Sequence, residues 1–294
     1  MAALACKMGP CHDRGDLSVE ALPYTALLLI AQITAGTAIA VLFVQLRGGY
    51  EMSFVRTCTW LTLTCGLLTV LAVLWVDPVN NAGPYALDPD VLDPAKAVAL
   101  AMFLFIFVHM YFLRKEDEAF LATATGATVA GLGCVLLVLL SMLVRLPTWS
   151  FFGPALTLFA GALTLGVFTV AMIWGHWYLV KPTLEEGPLN VLCALAMAVI
   201  GFELLATIVN AVIPVGYPIQ SDALLAVDLP SNPAFWLRIG IGIVFPAALA
   251  FMAYTSSKER AMMSATGLLY IAVGALLAGE ALGRGLLFVT GAAV

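Results

Sequence analysis

Residues 119–144 read AFLATATGATVAGLGCVLLVLLSMLV, without a single charged side chain. As an α-helix this stretch is about 39 Å long at 1.5 Å per residue, more than the roughly 30 Å hydrocarbon core of a bilayer. Lipid offers no hydrogen bonds to the backbone, so a segment of this kind crosses it as a helix. Seven further stretches have the same character, giving spans at 22–46, 54–76, 95–113, 119–144, 154–180, 189–213, 234–255 and 261–289. None shows the alternating ten-residue pattern of a membrane barrel. The expected fold is an all-α polytopic transmembrane helix bundle of about eight spans, with an extramembrane N-terminal tail at 1–21 and a membrane domain at 22–289.

Composition agrees. The chain has 294 residues, 62% apolar and 11% charged; soluble domains run at roughly 45–50% and 25%. The net charge of −5 lies in loops and argues against nucleic acid as a partner. Residues 1–20 are polar and lack the basic start, apolar run and small-residue cleavage site of a signal peptide. Cys58, Cys65, Cys134 and Cys193 fall within apolar segments and read as small core residues. Cys6 and Cys11, followed by His12, have the wrong spacing for a common zinc site and read as a local disulfide or free thiols.

Four connections are short and carry Lys or Arg: 47–53, 114–118, 181–188 and 256–260. Two on the other side, 77–94 and 214–233, are long, acidic and rich in proline. The positive-inside rule puts the short basic loops in the cytoplasm and both termini outside; Lys7 and Arg14 in the tail count against this. Each long loop follows the second span of a group of four, which suggests halves at 22–145 and 154–289. The surroundings are those of a prokaryotic cytoplasmic membrane, with lipid as the solvent.

Ionisable side chains inside spans cost roughly 2.5–3.5 kcal/mol even on the mild insertion scale, so they face the bundle interior and mark candidate function. His109 and His176 lie about one and a half turns before Arg114 and Lys181, at matching depth. Two such imidazoles are candidates for the axial ligands of one haem b, for quinol binding with proton relay, or for plain interfacial hydrogen bonding. Glu203 sits near the middle of its span with Asn210 seven residues on, on the same helix face. It is protonated or paired across helices, as a proton relay or as a helix tether. Glu280 and Arg284 are four apart in the favourable order and pair along the last span, either locking that helix or presenting Arg284 to an anionic or quinone-like ligand. Arg238 and Arg145 are expected to snorkel outward. Trp149, Trp177, Tyr178, Trp236 and Tyr254 sit near span ends as interfacial aromatics do, and Gly126 to Gly131 allows close helix contact. The sequence contains no phosphate-binding glycine loop, no HExxH and no cysteine-rich cluster, which disfavours hydrolytic chemistry and an iron–sulfur centre in this chain.

The stretch Gly279-Glu280-Ala281-Leu282-Gly283-Arg284-Gly285-Leu286-Leu287-Phe288 resembles the end of the last helix in membrane-anchor subunits of the dimethyl sulfoxide reductase family. The related polysulfide-reductase-type anchors are similar in role. The resemblance implies eight helices with both termini outside, a molybdopterin and iron–sulfur enzyme held at the membrane, and electron exchange with quinol. Glu280 and Arg284 match the Glu and Arg of that motif; Gly175-His176-Trp177-Tyr178-Leu179-Val180-Lys181-Pro182 has no counterpart in it.

The leading expectation is therefore a respiratory membrane subunit that docks an iron–sulfur or molybdopterin partner and exchanges electrons with the quinone pool. His109, His176, Tyr178, Glu203, Glu280 and Arg284 are its candidate quinone or proton residues. The alternatives are a haem b subunit ligated by His109 and His176, a proton-coupled transporter using Glu203, and a purely structural anchor. The histidines lie toward the inner side and the C-terminal motif toward the outer, so one site cannot easily use both.

Overall fold

A computed structural model describes residues 16–76, 81–82, 85–86, 89–142, 148–181, 183–212, 229–290 and 293–294. Cys6, Cys11, His12, Arg145 and most of both long loops lie outside these. The helices are α1 (Asp16–Arg47), α2 (Met52–Trp75), α3 (Pro89–Lys115), α4 (Ala119–Met142), α5 (Thr148–Val180), α6 (Gly187–Val212), α7 (Pro233–Ile239), α8 (Phe245–Lys258) and α9 (Met262–Thr290). A π-helical turn, Gly240–Val244, joins α7 to α8 into one span. Eight spans long and apolar enough to cross a membrane result. A two-residue antiparallel ladder between α2 and α3, β1 (Asn81–Ala82) with β2 (Tyr85–Ala86), pairs Asn81 with Ala86 and Ala82 with Tyr85.

Three helices begin earlier than the apolar pattern predicts, running through Pro23, Pro94 and Pro154. Each proline lacks an N–H and removes one i→i−4 bond, but all three lie within the first turns of long helices, where the rest of the ladder carries them.

α1 and α5 form the centre. Within an apolar 18-residue stretch of each, 67% of α1 and 72% of α5 is buried, against 28% of α3. They cross where Gly36 meets Ala162 and Gly166: a Cβ on Gly36 would lie 1.8 Å from the Ala162 carbonyl oxygen, and one on Gly166 2.0 Å from that of Gly36. Small residues allow such backbone contact, and in lipid this packing replaces the hydrophobic drive between helices. The 126–131 stretch works the same way, with Gly126 against the Phe105 ring and Gly131 against Ala35. The exterior is apolar: Leu74, Trp75, Phe107, Leu205 and Phe251 all point outward, as a lipid-facing surface requires.

On the face that carries the short basic loops, Gly48 and Gly49 both take positive φ, which glycine adopts without strain, and turn the chain from α1 to α2. Glu51 then accepts hydrogen bonds from Lys181 and, at 2.8 Å, from the Trp177 indole. Burial pushes the neighbouring Tyr50 hydroxyl up to about 12, against a smaller opposing pull from Arg47. The Lys181 and Trp177 bonds hold the Glu51 carboxyl below its ordinary value of 4.5. A carboxyl lowered in the folded state stabilises fully above its unfolded value, and that contribution disappears as pH falls through the lowered one. Glu51→Gln should therefore melt below the parent protein at neutral pH, with the gap closing as pH falls past the ordinary carboxyl range. A gap that stays constant down to acid unfolding would show that this pairing does not set it.

Candidate functional site

The fully buried charged side chains lie toward the opposite ends of the helices. Glu203 stands nine residues before the end of α6 at Val212, about 14 Å of helix rise. Arg238 is near the end of α7, and Glu280 and Arg284 lie ten and six residues before the end of α9. All four side chains have zero exposure. Arg238 donates from Nη2 to Glu203 Oε1 and, at 2.6 Å, to Glu280 Oε1. Arg284 Nη2 donates to Glu280 Oε2 at 2.6 Å. Gln32 of α1 donates from Nε2 to the Leu158 carbonyl at 2.9 Å and to Glu280 Oε2 at 3.2 Å. With two carboxylates and two guanidinium groups ionised the cluster is neutral overall, which is how four charges can share a membrane interior.

Glycines make the space. A Cβ on Gly161 would meet Glu280 Oε2 at 2.3 Å. Cβ atoms on Gly242 and Gly283 would meet the Arg238 guanidinium at 2.6 and 2.9 Å. Gly242 also backs directly onto Gly279. The local sequence explains the unusual turn. Pro246 has no N–H to donate, and the Phe245 N–H reaches back five residues to the Gly240 carbonyl. A π turn of this sort disturbs the regular ladder and is frequent at functional sites.

Sequence reasoning expected Arg238 to snorkel outward. It does not: it is fully buried and joins α6 to α9 through both glutamates. Its position near a span start suggested easy escape, but the carboxylates at the same depth hold it inside. Counting charges would have found it, because Glu203, Glu280 and Arg284 alone leave one negative charge uncompensated. The Glu280–Arg284 pairing follows the expected i,i+4 geometry, and Glu203 is paired across helices. Gln32, Gly161 and Gly242 carry no signal of their own in the sequence, whereas Gly279 and Gly283 belong to the C-terminal motif.

The histidines belong elsewhere. His109 is buried among α1, α3 and α4; its Nδ1 lies 2.8 Å from the Phe120 carbonyl and its Nε2 3.0 Å from Gln45 Nε2. An N–H must donate to that carbonyl, so Nδ1 carries the proton and Nε2 accepts from the Gln45 amide. Both ring nitrogens are thus engaged. His176 is exposed on α5, edge-on to Tyr270 of α9 at 6.3 Å. α3 and α5 are not a packed pair, and this arrangement does not offer two axial ligands to one haem. No group of three or more His, Cys, Asp or Glu suited to a metal occurs among the described residues. Tyr178 is half-buried against the apolar core near the basic-loop face. Cys58, Cys134 and Cys193 are buried free thiols, and Cys65 is half-buried.

A groove of about 640 Å³ runs between α7 and α9, lined by Asn232, Ala234, Ala278, Ala281, Leu282 and Gly285 among others. Its α9 lining points about 140° round the helix from the side that carries Glu280 and Arg284, at 100° per residue.

Comparison with family models, curated proteins and solved structures gave no match. The class therefore rests on the fold and the buried charges: this is an integral membrane protein, an all-α bundle with eight spans among the described residues and a buried cluster of two glutamates and two arginines inside it.

Proposed function

We propose that this protein is the membrane subunit of a prokaryotic respiratory oxidoreductase, docking a redox partner with iron–sulfur or molybdopterin groups and exchanging electrons with the quinone pool. The observation that carries the reading is the buried cluster of Glu203, Arg238, Glu280 and Arg284. Oxidising a quinol releases protons inside the membrane, and a carboxylate there can accept them. Glu203 Oε2 has no hydrogen-bond partner, and neither do Nε and Nη1 of both arginines. The resemblance of the Gly279–Phe288 stretch to sulfoxide-reductase-type anchors points the same way. In this reading the quinone-linked residues are Glu203, Glu280 and Arg284, with Arg238 added; His109 tethers α3 to α1 and α4, His176 faces the periphery, and Tyr178 packs against the apolar core near the basic-loop face. A transporter built on Glu203 would call for broken spans paired between two halves. The π turn interrupts only the seventh span among the described residues.

Extraction in mild detergent should co-purify a redox subunit, and the complex should oxidise a short-chain quinol. Glu203→Gln should lower that turnover by on the order of a hundredfold, the usual scale of acid–base catalysis, with the complex still assembled. A chain that purifies alone from membranes without quinol-dependent turnover would sink the proposal.

A further inference from the structure

Three polar side chains follow one another along one face of α6, from the charge cluster toward the helix end. They are Glu203, Thr207 and Asn210, at i, i+4 and i+7. All are at least nine-tenths buried, and each keeps one oxygen without a partner: Glu203 Oε2, Thr207 Oγ1 and Asn210 Oδ1. Thr207 is unusual in this. Thr59, Thr62, Thr69, Thr164 and Thr266 donate to the carbonyl four residues back, which spends the hydroxyl on the helix's own backbone. The Thr207 hydroxyl makes no such bond. Asn210 is anchored by its amide nitrogen, which donates to the Gly153 carbonyl at 2.9 Å and to Thr157 Oγ1 at 2.5 Å; Thr157 donates onward to the Ala293 carbonyl at 3.2 Å. The series thus leads from the cluster to where α5, α6 and the end of the chain meet, two residues short of Val212.

A structural helix tether needs no such series. Buried polar atoms are costly unless they have partners, and with three of them about a turn apart on one face, water between them can link the Glu203 carboxyl to the Thr207 hydroxyl, with the Asn210 carbonyl oxygen accepting from that water and not itself passing the proton. We infer that Glu203, Thr207 and Asn210 are a proton path connecting the buried cluster to the water beyond the long-loop face, with Glu203 as the group that binds the proton. The reaction is a transfer only: a proton adds to Glu203 Oε2 and leaves by the same ladder, with no oxidant or reductant. The charged groups beside Glu203 are Arg238 from α7 and Glu280 from α9, and Glu280 in turn holds Arg284 and the Gln32 amide of α1. Arg238 keeps Glu280 as a partner when Glu203 is protonated.

The path uses the cluster of the quinone reading but not its redox chemistry, so the test contains no quinone. The full-length protein in liposomes is followed by infrared difference spectroscopy after a drop in bulk pH. The exposed carboxylates contribute bands of their own, so the reading is the parent spectrum minus that of Glu203→Gln: one further carboxylic C=O band should remain, and it should form about tenfold more slowly in Thr207→Val, equivalent to a barrier raised by about 1.4 kcal/mol. Thr207→Val removes one hydroxyl at nearly constant volume, so it keeps the test decisive if Glu203→Gln does not fold. Identical carboxyl spectra for the parent and Glu203→Gln over the pH range of the folded protein, or an unchanged rate for the Glu203 band in Thr207→Val, would each overturn the path. Loss of quinol turnover with the band and its kinetics intact would count against the quinone reading alone.

Discussion

Glu280→Gln should be the most damaging single polar substitution in this protein, lowering stability by roughly 3–5 kcal/mol, the range for removing one partner of a buried ion pair. Glu280 accepts from Arg238, Arg284 and Gln32. Without its charge Arg238 retains Glu203, while Arg284 loses the only carboxylate it is bonded to among the described contacts. The cluster goes from neutral to a buried positive charge. Ordinary interhelical hydrogen bonds in membranes average only about 0.6 kcal/mol, so the loss of the bonds is the smaller effect and the stranded cation the larger. Arg284→Gln should be milder. It leaves an excess negative charge, which a carboxylate can discharge by taking up a proton, whereas a guanidinium cannot shed one. Glu280→Gln/Arg284→Gln, neutral again, should recover part of the loss. Thermal unfolding in detergent, read by size-exclusion profile, gives the order directly. A Glu280→Gln protein as stable as the parent would mean that the cluster does not hold α7 and α9 together.

Gly36→Ala should come next, at about 3 kcal/mol or more, the upper end of the cost of overpacking. The added methyl would sit 1.8 Å from the Ala162 carbonyl oxygen, so the two central helices must separate. The obstacle is backbone, which has no rotamer to change. Moving α1 from α5 also disturbs Gln32 and the Glu280 oxygen it contacts, because both are seated on that crossing. Gly201→Ala is the matched control. Nothing lies within 4 Å of a Cβ there, and alanine is the better helix former by about 1 kcal/mol, so this variant should be neutral or slightly more stable. Equal melting temperatures for the two variants would rule out the α1–α5 crossing as the tight point of the bundle.

Much of this protein was legible before any coordinates. The eight spans follow from the length of the apolar runs, because lipid leaves the backbone no choice but the helix. The Glu280–Arg284 pair follows from a spacing of four, and the shared face of Glu203 and Asn210 from a spacing of seven, because helix geometry alone fixes both. Three helices start about six residues before their apolar runs, since proline near the beginning of a long helix costs one bond and not the helix.

The tertiary structure decided what each helix turns toward. Depth can be counted along a sequence, and by depth His109 and His176 looked like partners while Arg238 looked free to reach the surface. The direction in which a side chain leaves its helix matters only relative to the neighbouring helices. His109 faces α1 and α4, His176 faces outward beside Tyr270, and Arg238 faces two glutamates 35 and 42 residues away in the chain. Local periodicity sets the rise and the face of a residue on its own helix. The azimuth of each helix is set by close contacts such as Gly36 on Ala162 and Gly242 on Gly279, which join residues with no local relation in the sequence.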